Sequence, residues 1–302
     1  KADSDTSRVV LKARLAHAFL FFNSDSAMTL CEQVIAEAQK IHFPKGEVMG
    51  LNELGNALRL RGDLPKSLQL SLRALEISKA NEDREGQATS MVYMGSIFLQ
   101  LKEHKQALQY LHHAKRITSR INIQILAVCQ IGDMYQNMDM LDSAMLFQQK
   151  AYAQLKNIPR GTLKSLVPTR LGLVYDKLGN HDEALSYYQS ALKNADILGD
   201  RLNQGRIQYR ISECYYHQDV RDSSLYYARL AFENGQRINH LLTQLLSSGL
   251  LTKLYKSTSL DSALHYLEVN TAIKDILYGP EKLQQVQLLA LQEQQRQQEG
   301  MR

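Results

Sequence analysis

A small residue followed three positions later by a bulky one recurs along this chain on a beat of about forty residues. The pairs are Gly55 with Leu58, Gly95 with Phe98, Gly132 with Tyr135, Gly172 with Tyr175 and Ser212 with Tyr215, so successive small residues stand 40, 37, 40 and 40 positions apart. Two further markers keep the same register. Twelve residues after each small residue comes another: Ser67, Ala107, Ala144, Ala184 and Ser224. Seven beyond that is Ala in every copy: Ala74, Ala114, Ala151, Ala191 and Ala231. Weaker copies flank these five, with Ala16 and Ala27 in the first, and Leu251, Thr252, Tyr255 and Ala263 in the last. Internal repeats of this period signal stacked supersecondary units. Units that nest need small side chains where backbones approach closely and large ones to fill the gaps between.

The units read as helical hairpins. Leu, Ala, Gln and Lys dominate, all good helix formers, and no alternating β-branched run marks a sheet. Arg61-Gly62-Asp63, Leu178-Gly179-Asn180 and Asn23-Ser24-Asp25 fall inside hairpins, where Gly ends the first helix and Asp or Ser caps the second. Phe43-Pro44-Lys45-Gly46 and Leu198-Gly199-Asp200 separate one hairpin from the next. Pro168 lies four residues before Gly172; the reading favoured is a helix that starts late, after a loop at 159–163, with Pro in its first turn.

The pattern resembles the tetratricopeptide repeat over about residues 7–277. Its motif appears as Leu54-Gly55, as Leu171-Gly172 with Tyr175, and as Ala184 with Ala191. The resemblance implies an all-α, right-handed superhelix of about seven hairpins plus a C-terminal helix. The array spans 1–278, with repeats near 7–41, 45–80, 85–120, 122–157, 162–198, 202–239 and 241–277; residues 279–302 form a capping or linker helix. The unit is 40 residues rather than 34, as in the extended subclass of kinesin light chains and bacterial peptide-responsive regulators. Leu51, Met91 and Val128 stand where that motif usually has Trp.

The resemblance also implies a binding face, because in this fold the first helix of each hairpin lines the concave side. Positions one, four and five after the small residue, and three before it, point into the groove. That rule selects Asn52, Asn56, Arg59, Val92, Ser96, Gln100, Asp133, Gln136, Asn137, Thr169, Asp176, Lys177, Tyr209, Glu213, Tyr216 and His217. Most are polar and can reach an extended backbone, so the expected partner is a protein or peptide. Asn52 and Asn56 head that list, since Asn amides grip peptide backbone in other members of the fold. Of the pairs Tyr187-Tyr188, Tyr215-Tyr216 and Tyr226-Tyr227, one member is a core position and the other is left to face outward.

Other classes fit poorly. No P-loop, HExxH, paired CxxC or nucleophile elbow occurs, so no enzyme and no cofactor is expected. The net charge of +5 is spread along the chain, the densest basic stretch being Lys115 to Arg120, which argues against nucleic acid. His104, His112 and His113 lack ligand spacing on one helical face, so no metal is expected there. Cys31, Cys129 and Cys214 sit in helical apolar patterns and read as buried free thiols.

After Gly279-Pro280 the chain continues as a Gln-rich helix with Leu283, Val286, Leu289 and Ala290 at helical spacing. The first half is expected to cap the open end of the array. The second half projects as a linker or the start of a coiled coil, and a homodimer through it is possible. The junction Tyr278-Gly279-Pro280-Glu281-Lys282, the opening Asp5-Thr6-Ser7-Arg8 and the Asn23–Ala27 turn resemble the input region of membrane-bound bacterial sensor histidine kinases. That resemblance implies a periplasmic array tethered to the inner membrane through a region absent from this sequence. The start at Lys1, without Met, is expected to be a trimmed one. The alternative is a free-standing cytoplasmic regulator that binds a protein or signalling peptide.

Overall fold

Segments of 14 to 20 residues, most of them closed by a capping or left-handed residue, fold here into a continuous array of helices. In the computed structural model, residues 2–299 are described. The hairpins are α1 (Ala2–Phe19) with α2 (Ser24–Lys40), α3 (Pro44–Leu60) with α4 (Leu64–Ala80), and α5 (Arg84–Gln100) with α6 (His104–Ile117). They continue with α7 (Ile121–Asn137) and α8 (Leu141–Gln154), α9 (Leu163–Lys177) and α10 (His181–Leu198), and α11 (Arg201–His217) and α12 (Arg221–Arg237). The seventh is α13 (Leu241–Tyr255) with α14 (Leu260–Tyr278), and α15 (Pro280–Glu299) follows. No strand occurs among the described residues.

The turns explain the regular beat. Inside each central hairpin one residue takes a left-handed conformation: Gly62, Lys102, Asp139, Gly179 and Asp219. The next amide then donates back across the last turn, as Asp63 N to Leu58 O (2.9 Å) and Asn180 N to Tyr175 O (2.9 Å), which satisfies carbonyls that a helix end leaves bare. Asp63 caps α4 through the Lys66 amide and Asn23 caps α2 through the Ser26 amide, whereas Asn180 makes no side-chain cap. The helix α9 begins at Leu163, so Pro168 sits inside it rather than in its first turn.

Within the second to fifth hairpins the glycine of the first helix meets the side chain sixteen positions on. A Cβ on Gly172 would stand 2.8 Å from the Tyr188 ring, and one on Gly95 would stand 2.6 Å from Leu111 Cδ2. Next to the turn a second pair stacks: Phe98 on Tyr110, Tyr135 on Phe147, Tyr175 on Tyr187, Tyr215 on Tyr227 and Tyr255 on Tyr266, with centroids 5.3–6.0 Å apart. Tyr188 is thus wholly buried, while Tyr216 and Tyr226 are exposed.

Seven hairpins bring the array round onto its own beginning. The Leu202 amide, in the first turn of α11, donates to Phe21 O after α1 at 3.1 Å. Leu60, Leu202 and Ile238 form a buried cluster packed by Phe21. The C-terminal helix also differs from the expected cap. Val286 of α15 is fully buried in the cluster that contains Leu64 and Leu68 of α4, with Leu289 and Ala290 beside it. It therefore covers the second hairpin rather than the open end of the seventh.

Gly62 and Gly179 separate backbone strain from closure. Both are left-handed (φ 83° and 81°), but a Cβ on Gly62 would lie 2.1 Å from Leu277 Cδ2, whereas Gly179 faces open space. Gly179→Ala is expected to lose about 1–2 kcal/mol from backbone strain alone. Gly62→Ala should lose roughly a further 1 kcal/mol or more, because it overpacks the closing contact. Equal losses in denaturant unfolding would show that the contact with Leu277 contributes nothing.

Candidate functional site: the inner channel

Because the array closes, its concave side becomes an inner channel with a cavity of about 450 Å³ lined by residues from the first helix of all seven hairpins. Of the residues the positional rule selects, Asn56, Arg59, Ser96, Gln100, Asp133, Gln136, Asn137, Thr169 and Tyr209 line it. Asn52 does not. It is buried, and its Oδ1 accepts from Ser90 Oγ at 2.9 Å, so it ties α3 to α5. Val92 is likewise fully buried. Glu213, Tyr216 and His217, with Tyr209, line a separate groove against α13 and α14. Lys177 donates to Gln136 O at 3.3 Å. Asp176 is buried between His181 and His217, away from the channel lining.

Beside Arg59 and Asp133, which the rule selects, the channel takes its charge from residues the rule missed: Arg170, Arg206, Arg210, His240 and His17. A rotation of about 100° per residue puts positions +4, −3, +1 and +5 at about 40°, 60°, 100° and 140° from the small residue. Positions −6 and −2 fall at about 120° and 160°, on the same face. They hold Leu126, Leu166 and Arg206 at −6, and Tyr93, Gln130, Arg170 and Arg210 at −2, all of which line the cavity. His17 follows Ala16 at +1 in the first copy. For the arginines the signal was therefore present in the helical wheel; His240 precedes α13 as its N-cap and was not.

Two of the four arginines are paired. Arg170 meets Asp133 at 3.0 Å and Arg210 meets Glu213 at 2.7 Å. Arg59 and Arg206 meet no carboxylate within ion-pair distance among the described residues. Arg59 donates to Asn56 Oδ1 at 2.7 Å and its buried Nε has no acceptor. Arg206 approaches only His240 Nε2, at 3.3 Å. Burial, then the neighbouring Arg59 and Arg170, push Arg206 down to about 9; burial and Arg170 push Arg59 down to about 10. Both guanidinium groups nonetheless keep their proton at neutral pH. The channel thus holds two unneutralised positive charges, contributed by α3 and α11.

His240 registers that charge. Arginine can only donate, so Nε2 accepts from Arg206, while Nδ1 accepts from the Thr243 amide at 3.3 Å and lies 2.6 Å from Thr243 Oγ1. A protonated ring would turn a proton toward the guanidinium. Burial and then Arg206 and Arg59 accordingly hold His240 well below the usual histidine range. His17 is shifted the other way: Glu53, 2.8 Å from its Nδ1, raises it against burial.

The array matches known proteins in its fold. Residues 46–120 and 169–196 match models of the tetratricopeptide repeat. No curated protein matches the chain. A Rap protein complexed with competence and sporulation factor superposes with a TM-score of 0.69 at 15% identity, covering 95% of this chain and 80% of that one. The Rap conjugation gene regulator of plasmid pLS20, in complex with the Phr* peptide, gives 0.62 at 15% identity over 83% and 76%. BtubC (BKLC) from P. vanneervenii gives 0.54 at 13% identity over 72% and 92%. At these identities the likeness is one of fold.

The depressed His240 has a measurable consequence. Below the unfolded value of about 6.5 the unfolded chain takes up a proton that folded His240 refuses, so stability falls as pH drops through that window. The raised His17 acts oppositely, with stability present at low pH and lost as pH rises through its folded value. His240→Gln should therefore flatten the loss between about pH 6.5 and 5; an unchanged slope would show that His240 is accessible to protons in the fold. These findings establish an all-α solenoid of seven hairpins with the fold of tetratricopeptide-repeat arrays, matched by models of that repeat over residues 46–120 and 169–196.

Proposed function

We propose that the chain is a binding scaffold, not an enzyme, and that its inner channel holds an extended peptide or protein segment by a carboxylate. The observation that carries this reading is the pair Arg59 and Arg206, half-buried in the channel wall and without an anionic partner within ion-pair distance among the described residues. Keeping such charges inside a fold is unfavourable unless something neutralises them. A carboxylate between them would accept charge-assisted hydrogen bonds from both guanidinium groups. Asn56, Gln100, Gln136 and Asn137 line the same cavity and suit the amides of an extended chain.

The proposed setting is the periplasmic input region of a membrane-bound two-component sensor kinase. It is supported by the Tyr278–Lys282 junction and the Gln-rich helix after it. Among the described residues no helix is long and apolar enough to cross a membrane. A second reading, a free-standing regulator that binds a signalling peptide, is supported by the likeness to the two Rap structures in complex with a peptide or factor. Reading the gene past Arg302 separates the two: a transmembrane helix and kinase core favour the first, and a stop codon removes it.

Fluorescence polarisation with a library of short peptides, each made with a free C-terminal carboxylate and again as the amide, tests the channel. Free acids should bind, amides without an acidic side chain should bind at least about tenfold more weakly, and Arg206→Gln should lose a similar factor. The same substitution should raise stability by up to about 1 kcal/mol, since it removes a half-buried charge that has no carboxylate partner. Equal binding of acids and amides, or an Arg206→Gln protein that binds normally, would reject the carboxylate reading.

A further inference from the structure

A second cluster of chemically active side chains lies outside the channel, where the ends of α9, α10 and α11 meet. Asp176 is in the last turn of α9, His181 is the first residue of α10, and Cys214 and His217 are in the last turn of α11. The ligand atoms of Asp176, His181 and Cys214 lie within 4.8 Å of one another. His181 Nδ1 is 2.7 Å from Asp176 Oδ1, and His217 Nδ1 is 3.3 Å from Asp176 Oδ2. The two imidazole rings stand 5.8 Å apart. Cys214 Sγ points at the same spot, 3.6 Å from the His181 carbonyl oxygen.

We propose that Asp176, His181, Cys214 and His217 form a binding site for one zinc-type divalent ion. The donor set is one sulfur, two imidazole nitrogens and one carboxylate oxygen. Those donors suit a borderline-soft ion that prefers four tetrahedral ligands, not calcium or magnesium, which take oxygen. Cys214 and His217 are spaced i, i+3, so one face of α11 offers both. Bonds of about 2.0–2.3 Å put tetrahedral ligand atoms roughly 3.3–3.8 Å apart. The three core ligands need to move by only about an ångström from their present spacing to reach that. The Asp176–His181 hydrogen bond opens as the ion takes its place.

The charges balance on binding. The Cys214 thiol loses its proton to solvent, and the sulfur forms a bond to the ion as thiolate. Each imidazole donates a lone pair from one ring nitrogen and keeps its proton on the other. Thiolate and carboxylate together cancel the charge of a divalent ion, so the filled site is neutral, as a place this buried requires. Asp176 and Cys214 are almost inaccessible, whereas His217 is nearly half exposed, so the ion enters on the His217 side. Filled, the site staples the fifth hairpin to the sixth beside the groove of Tyr209, Glu213 and Tyr216. It uses none of the arginines of the channel, so each reading stands or fails alone.

Cobalt(II) gives the direct test. Protein freed of metal by chelation is titrated with Co²⁺ and followed for the thiolate-to-cobalt charge-transfer band and the visible bands of a tetrahedral ion. One equivalent should develop both, and Zn²⁺ should displace them. Cys214→Ser should abolish the charge-transfer band, while Cys31→Ser and Cys129→Ser, which alter the other two buried thiols, should leave it. His181→Ala and His217→Ala should each weaken cobalt binding at least about tenfold. His217→Ala changes an exposed side chain and serves as the decisive variant should Cys214→Ser fail to fold. No charge-transfer band, or one that persists undiminished in both Cys214→Ser and His217→Ala, would overturn the proposal.

Discussion

Two backbones approaching over a residue with almost no side chain is the contact on which this molecule is built. In the central hairpins the small residue of the first helix faces the residue sixteen positions on, and the two are matched in volume. Gly172 takes Tyr188, Gly95 takes Leu111, and Gly132 takes Gln148, each closer than a real Cβ would allow. Where the first position grows to Ser212, position 228 shrinks to Ala. Ser212 Oγ then donates to Ser224 O at 2.6 Å, and Ser224 Oγ donates to Ser212 O at 2.9 Å. Close packing with no room to spare turns such matching into a fixed crossing of the two helices. Repeating it sets the curvature of the whole array.

Curvature carried through seven hairpins is what converts a groove into a channel. The first and sixth hairpins meet at Phe21 and Leu202, and α15 returns over α4 to bury Val286. Closure brings Arg59 and Arg206 to one cavity although they lie far apart in sequence, and each feels the other's charge through a poorly solvated interior. The positive potential there follows from the winding as much as from the residues themselves. An anionic group would relieve it and let the His240 imidazole accept protons more readily, so occupancy of the channel and the state of that ring are linked.

How much of this was legible depended on whether a feature repeats. The hairpins could be read because Gly55, Gly95, Gly132, Gly172 and Ser212 recur in register, and the turns because Gly62 and Gly179 mark left-handed positions. Lys102, Asp139 and Asp219 adopt the same conformation without announcing it. The lining rule selects Asn56, Ser96 and Asp133, one position after the small residue, which stand on the cavity wall, and also Asn52, which is sealed between helices. It overlooked Arg206 because position −6 was not considered, although the wheel puts it on the same face. The path of α15 was not legible at all, since Leu283, Val286 and Leu289 show that a face is apolar but not which helix it meets. The cluster at Cys214 was hidden for the same reason: three helices supply it, and only Cys214 and His217 are neighbours in sequence.

The Leu202 amide tests the central claim that the array closes on itself. It lies in the first turn of α11, where backbone amides have no partner within their own helix, and its acceptor is Phe21 O in the first hairpin. Hydrogen exchange at that single amide therefore reports closure. Protection comparable to the buried middle of α11 is the result predicted here. Exchange as fast as that of an uncapped helix end would mean that the first and sixth hairpins stand apart, and with them Arg59 and Arg206.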